Sequence, residues 1–432
     1  PINIAKKIEE DIPILGTSTK AIDLAEDREN FKKIISKLNL KQPKNGIAYN
    51  IKEATKIAKE IGYPVLIRPS YVLGGRAMEI VYEEKNLEEY FENSKSIWTS
   101  RHVPEDNPIL LDRFLINAKE LDVDLIRDKE NNIYIGGIME HIEEAGIHSG
   151  DSSCSIPPYS LSLKIMDEIE RQSKILANEL NIIGMMNIQF AIQNNQIFIL
   201  EVNPRASRTV PFVAKSSGIQ IAKLATKIIM GKNLKEYKNL VNYRDLRYFS
   251  VKEPVFPFKK FHNVDVLRGP EMKSTGEVMG IDIDFHTAFY KSQTAAGINL
   301  PKSGSIFLSV KDKDKKELIP IAKKLVKLGF NLLGTKGTSI FLKKNNISIN
   351  QINKISEGSP HIVDLLESKV ISLVINTTEG KAATGDSYIM RRNTLLTNTP
   401  YYTTIKGANV AVNSLVVLKK SDLHVRSLQS IH

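Results

Sequence analysis

Cysteine, tryptophan and long apolar runs are what this 432-residue chain has least of, and each scarcity excludes something. The single cysteine, Cys154, sits in Ser152-Ser153-Cys154-Ser155, so neither a disulfide framework nor a cysteine-rich metal site can form. No apolar run approaches the roughly 18 residues of a membrane span, and the stretch from Pro1 onward has neither a basic n-region nor an apolar h-region. The expectation is a cytoplasmic protein with no membrane role. Acidic charge is also in deficit: 60 Lys and Arg against 49 Asp and Glu leave a net charge of +11. The lysines are spread along surface helices such as 311–327 without interleaved aromatics, which argues for a general liking for anions and against a nucleic-acid groove.

What is present supports about three domains, since 432 residues at 42% hydrophobic can fill several cores. Residues 1–30 read as the end of an α/β domain, with a helix-like stretch, a short strand at Ile12-Pro13-Ile14-Leu15 and a helix opened by Ser18 or Thr19. From 31 to 231, helical patterns at 51–61 and 161–180 alternate with strands at 65–68, 78–82, 109–114 and 134–139, giving one α+β unit with antiparallel pairs. Residues 232–300 hold Pro254, Pro257 and Pro270 with few periodic runs, a connecting region. Residues 301–432 open with strand 305–310 and a helix to Leu328, then strands near 330–334 and 370–375, the pattern of a small parallel sheet with a complete fold of its own.

The strongest chemical signal is Asn187-Ile188-Gln189-Phe190-Ala191-Ile192, a polar connection Gln193-Asn194-Asn195-Gln196, then Ile197 to Leu200 followed by Glu201-Val202-Asn203-Pro204-Arg205. Residues two apart on a strand share a face, so Glu201, Asn203 and Arg205 point one way. A carboxylate and amide oxygens are hard donors for Mg²⁺ held against phosphates, and a guanidinium suits a transferring phosphoryl group. Gln189 joins them only if the hairpin has a three- or five-residue connection or a bulge, because a plain two- or four-residue loop would pair Gln189 with Leu200. The bland alternative is an amphipathic strand with a wet face.

Other motifs are weaker alone. Gly74-Gly75-Arg76 lies between two strand patterns, where backbone amides can approach phosphate oxygens, but it lacks the Walker spacing. The alternating acids Glu120, Asp122 and Asp124 share a strand face that reads as a solvated edge, and His148 in Gly146-Ile147-His148-Ser149 reads as an exposed loop histidine.

In this order, these tracts resemble an ATP-grasp domain, and more narrowly the second ATP-using half of carbamoyl phosphate synthetase large subunits. The likeness runs through Ala25-Glu26-Asp27-Arg28, residues 68–81, 136–143, 146–155 and 201–212, and the long string Gly269-Pro270-Glu271-Met272-Lys273-Ser274-Thr275-Gly276-Glu277-Val278-Met279-Gly280. The fold it implies is α/β and α+β multidomain, an ATP-grasp domain followed by a small parallel-sheet, methylglyoxal-synthase-like allosteric domain.

The resemblance implies that Arg28, Arg76, Arg113, Leu115, Glu120, Gly146, Ile147, His148 and Ser149 contact ATP. It implies Gln189, Glu201 and Asn203 as ligands of Mg²⁺ or Mn²⁺, with Arg205 and Arg208 at the transferred phosphoryl group and the carbamate. Arg113 replaces a histidine of related chains, and an insertion at 97–107 lengthens the loop before it. Ser309, Lys315, Thr335, Thr338, Lys354, Asn376, Thr377 and Thr378 match a nucleotide monophosphate site, and Glu143, Asp151, Glu253 and Thr403 match an ornithine site. The implied activity is phosphorylation of carbamate, within carbamoyl phosphate synthesis for arginine and pyrimidines. Cys154 has no thioester-forming context, so the implied partners are a glutaminase small subunit and the N-terminal half of the large subunit. Another ATP-grasp ligase, or a non-catalytic regulatory fragment, stays open at this point.

Overall fold

Asn50 opens the first helix that matters for the cleft, Ile51–Ile61, with its side chain accepting from the Glu53 N–H at 3.0 Å; Gly62, at φ +87°, ends it. Ala54 and Ala58 of that helix are fully buried against a four-stranded antiparallel sheet of order β1-β4-β2-β3. Its strands are β1 Asn45–Ala48, β2 Val65–Pro69, β3 Glu79–Val81 and β4 Ile109–Arg113. The computed structural model describes residues 2–69, 75, 77–100, 108–261, 264–379, 385, 387–419 and 423–432. Arg76, most of the 70–76 loop and most of the 97–107 insertion fall outside them.

A second sheet has seven antiparallel strands in the order β11-β10-β7-β6-β5-β8-β9. They are β5 Lys119–Arg127, β6 Ile133–Glu144, β7 Cys154–Ile156, β8 Gly184–Gln193, β9 Gln196–Asn203, β10 Phe249–Val255 and β11 Gly276–Asp282. One face is apolar, with Leu121, Val123, Ile188, Phe190 and Ile199 in the main core beside the helix Leu163–Glu179. The region expected to connect and to complete the synthetase unit supplies two strands, β10 and β11, to this sheet. The helix Phe285–Ala295 packs so closely on β11 that a Cβ on Gly280 would lie 2.1 Å from the Ala288 carbonyl oxygen.

The third sheet is parallel throughout, in the order β14-β13-β12-β15-β16, built from β12 Ser305–Ser309, β13 Asn331–Gly334, β14 Asn350–Gln351, β15 Ile371–Asn376 and β16 Tyr401–Tyr402. The strand-helix-strand reading holds. Its core is not private, however: Phe285, Ala288 and Phe289 share one apolar cluster with Ile306, Leu318, Ala408 and Val412. Apolar residues left over on the helices Phe285–Ala295 and Ile405–Leu418 need each other, so the expectation of a self-contained C-terminal unit is corrected.

The strand expected at Ile12 to Leu15 is irregular backbone after the helix Ile2–Ile8, and Ile4, Ile12 and Leu15 are exposed. No neighbouring strand among the described residues completes its hydrogen bonds, which outweighs its β-prone composition. Among the described residues no helix is long and apolar enough to cross a membrane.

Candidate active site

The β8–β9 hairpin turns on two residues, Asn194 and Asn195, at φ +50° and +60°, with Gln193 paired to Gln196. Asparagine tolerates this left-handed pair, which matches the twist of the strands. The four-residue polar connection is therefore shortened by two. Three pairs further in, the register shifts: Phe190 opposes Ile199, yet Gln189 opposes Glu201. Leu200 is the extra residue of a β-bulge. The bulge puts Asn187, Gln189, Glu201 and Asn203 on one face, as the chemistry requires.

The neighbouring strand extends that polar face. Asp122 opposes Gln189 and Asp124 opposes Asn187. The solvated-edge reading of these acids fails, because β5 lies between β6 and β8 in the sheet interior. Asp122 and Asp124 are 2% and 1% exposed. The His141 imidazole sits against Asp122 at 2.8 Å and lies 3.7 Å from Glu120. Burial opposes a charge on that ring, but Cys154 and the hydrogen-bonded Asp122 more than offset it, so the imidazole pKa is raised well above its ordinary value. Burial pushes Glu120 up to about 7 against the opposing pull of His141 and of the Gly146 N–H, which donates to Glu120 at 3.1 Å.

The loop Gly146-Ile147-His148-Ser149 is pinned from several sides, so His148 is not an idle surface residue. Its N–H donates to the Gly269 carbonyl at 2.8 Å, and its Nδ1 accepts from Gly150 at 3.0 Å. Burial lowers its pKa. The Ser149 hydroxyl accepts from Gln189 at 3.1 Å, and the buried Lys252 ammonium donates to the Ser149 carbonyl at 2.9 Å.

Facing this loop, Glu201 is partly exposed, accepts from the Asn203 amide at 2.9 Å and lies 3.9 Å from the Arg68 guanidinium. Arg205 reaches the Asn203 oxygen at 3.2 Å, and Arg208 contacts the Met272 sulfur. Arg28 and Arg68 both approach Asp112, at 3.9 and 3.2 Å, which ties the small sheet to the helix Arg28–Lys37. Arg113 donates to the Tyr63 carbonyl, and Leu115 is buried with Ala118 and Ala191. Sequence reasoning gave no role to Arg68, His141, Lys252 or Arg268. Only Arg68 had a signal, as a cation at the end of an apolar strand before the glycine pair.

At the parallel sheet, the ends of β12, β13 and β15 bring Ser309, Thr335, Thr338, Asn376 and Thr377 together. Thr335 heads the helix Lys336–Lys344 without spending its hydroxyl on a cap. Lys315 is held by Asp312 at 2.6 Å and Lys354 is exposed. Thr378 follows directly after Thr377. Elsewhere, Glu143 and Glu253 both reach Arg268, at 2.5 and 3.8 Å, and Asp151 accepts from the Lys273 and Ser274 N–H groups at 2.8 and 2.9 Å. Thr403 is partly buried next to β16.

Comparison with known proteins bears on this arrangement directly. Residues 27–237 match the family described as carbamoyl-phosphate synthase L chain, ATP binding domain, and residues 317–403 match the MGS-like domain. Over 453 residues the chain is 48% identical to the carbamoyl phosphate synthase large chain, C-terminal section, of Aquifex aeolicus, covering 100% of this chain and 83% of that protein.

The chain belongs to the carbamoyl phosphate synthase large-chain family.

It is also 50% identical over 441 residues to the large chain of Xanthomonas axonopodis pv. citri, and spans 40% of that protein's length. Among solved structures, N5-carboxyaminoimidazole synthase from Aspergillus clavatus aligns at TM-score 0.54 and 12% identity, over 69% of this chain and 79% of that one. The biotin carboxylase domain of the Hydrogenobacter thermophilus 2-oxoglutarate carboxylase aligns at 0.52 and 20% identity, over 65% and 66%. Likeness at that level establishes the ATP-grasp fold alone.

Proposed function

We propose that this chain transfers the γ-phosphoryl group of ATP to carbamate, forming carbamoyl phosphate and ADP. The observation that carries the reading is the bulged register, which lines up Gln189, Glu201 and Asn203 on the face that leads to Arg205 and Arg208. A carbamate oxygen attacks the γ-phosphorus, the bond to the β,γ-bridging oxygen breaks, and ADP leaves. Such a transfer needs positioning and charge neutralisation more than proton transfer. Arg205 and Arg208 supply guanidinium charge to the transferring group. Glu120 and the 146–149 loop hold the nucleotide, together with Arg28, Arg76, Arg113 and Leu115.

One carboxylate and two amides fit a cation that draws its remaining ligands from phosphates and water, and among the described residues no three His, Cys, Asp or Glu side chains form a rival cage. Mg²⁺, or Mn²⁺ in its place, would be held by Gln189, Glu201 and Asn203 and would neutralise phosphate charge when bound. The companion chains are a glutaminase subunit that supplies ammonia and the N-terminal half that makes carbamate, all in the cytoplasm. The test is ATP formation from MgADP and carbamoyl phosphate by the full-length large chain. Turnover with carbamoyl phosphate but not with other acyl phosphates supports the reading, and no ATP above background overturns it.

Nucleotide monophosphate is proposed at the strand ends of the parallel sheet, where ligands of such sheets bind and turn amides and hydroxyls suit one phosphate. Ornithine is proposed beside Glu143, Asp151, Glu253 and Thr403. Thr335→Ala removes a hydroxyl not used as a helix cap, so UMP should bind about 5- to 10-fold more weakly, the worth of one hydrogen bond. Isothermal titration on the whole chain reads this, and unchanged affinity would remove Thr335 from the phosphate site.

A further inference from the structure

Asp124 never reaches the cleft, yet it gathers the loop that carries the arginines. The carboxylate is 1% exposed and lies at the buried end of the polar face, on the strand beside β8 and opposite Asn187. Thr209 donates to its Oδ2 at 2.6 Å, Ser207 approaches both oxygens at 2.8 and 2.9 Å, and Asn187 donates to its Oδ1 at 3.0 Å. Ser207 and Thr209 are the two residues flanking Arg208. Their hydroxyl oxygens also lie 2.6 Å from each other.

Thr209 stands at the N-cap of the helix Val210–Ser217 but makes no side-chain capping bond. A threonine there ordinarily turns its oxygen to the orphan N–H groups of the first turn. Here the hydroxyl is turned away and spent on Asp124. Asn187, the third donor, stands opposite Asn203 across the hairpin. One buried carboxylate therefore fixes both flanks of Arg208 and the strand that carries the Gln189 side of the site.

We infer that Asp124 is a positioning residue for phosphoryl transfer: by binding Ser207, Thr209 and Asn187 it sets where Arg205 and Arg208 stand relative to Glu201 and Asn203. The inference rests on the proposed reaction for its kinetic consequence, though not for the anchoring itself.

Asp124→Asn keeps shape and removes one acceptor, so an amide N–H₂ meets donors that the carboxylate received. Thr209→Val removes one donor, and Thr209→Ser keeps it. In the full-length large chain, Asp124→Asn and Thr209→Val should lower kcat for ATP formation from MgADP and carbamoyl phosphate by about 10- to 100-fold, the scale on which misplacement by about 1 Å is felt. KM for MgADP should stay within about twofold, and Thr209→Ser should retain at least half the wild-type rate. Amide hydrogen exchange, independent of turnover, should rise at 205–209 in Asp124→Asn while the helix Leu163–Glu179 keeps its protection. Unchanged exchange at 205–209 overturns the anchoring. Wild-type kcat in both variants, or a loss in Thr209→Ser equal to that in Thr209→Val, overturns the positioning role. A wild-type chain that makes no ATP strikes the proposed reaction instead, and the exchange measurement still decides the anchor.

Discussion

Glu201→Gln is expected to reduce ATP formation from MgADP and carbamoyl phosphate by at least about 100-fold, the loss typical when an electrostatic contributor to a charged transition state is removed. The substitution is close to isosteric. Its amide oxygen can still accept from Asn203, as the carboxylate does at 2.9 Å, so the hairpin face should keep its shape. What disappears is the one formal negative charge in a ligand set otherwise made of the amides of Gln189 and Asn203. A divalent cation held by three neutral oxygens is bound far more weakly than one held by a carboxylate and two amides. The Arg68 guanidinium, 3.9 Å from Glu201, also loses an acidic neighbour and keeps Asp112 at 3.2 Å. Raising the metal concentration should recover part of the loss, which a defect in folding would not allow. Turnover within about threefold of wild type at ordinary Mg²⁺ would remove Glu201 from the metal site.

Much of this site was legible because strand periodicity is rigid. A two-residue repeat placed Glu201 and Asn203 on one face, and the need to bring Gln189 round to them demanded a register change that the bulge at Leu200 supplies; Arg205, expected on the same strand face, lies in the bend beyond the end of β9 at Asn203. The parallel C-terminal sheet was legible from its strand-helix-strand order. What could not be read was which strand lies inside a sheet. Glu120, Asp122 and Asp124 alternate as they would on any wet edge, and only the position of β5 between β6 and β8 turns them into a buried network with His141 and Asn187. Tertiary partners also decided the two ends of the reading. Among the described residues the apolar run at Ile12 finds no strand to pair with, whereas the proline-rich stretch after residue 232 yields β10 and β11, held by pairing along their length. Arg268 was invisible because its acids, Glu143 and Glu253, come from elsewhere in the chain, and Lys252 because its partner is the Ser149 carbonyl.

Arg268 is the residue whose loss should cost the fold most. Its guanidinium lies 2.5 Å from Glu143 and 3.8 Å from Glu253, donates to the Asp151 carbonyl at 3.1 Å and rests over the Phe256 ring at 4.9 Å. Glu253 is 1% exposed and Glu143 8%. Arg268→Met keeps an unbranched side chain over the ring and removes the cation between two buried acids, leaving Ser153 as their common polar partner. Breaking a buried pair from one side costs about 3–5 kcal/mol, because the charge left behind is neither solvated nor matched. The pH dependence gives the account its sign. Burial raises Glu253 from 4.5 to about 7, with Arg268 opposing the rise and Glu143 adding to it. The stability it contributes is therefore present below 4.5 and is lost as pH climbs to about 7. Without Arg268 the folded-state value moves higher still. The variant should therefore fall furthest behind wild type at pH 8, where Glu253 must ionise without its cation or take up a proton at a cost. At pH 5 Glu253 is protonated and needs no counter-charge, so the gap in unfolding free energy should shrink to less than about half its pH 8 value. Urea melts of wild type and Arg268→Met at the two pH values measure this. A gap that stays constant, or widens toward pH 5, would mean that Arg268 stabilises through its packing on Phe256 rather than through the acids it joins.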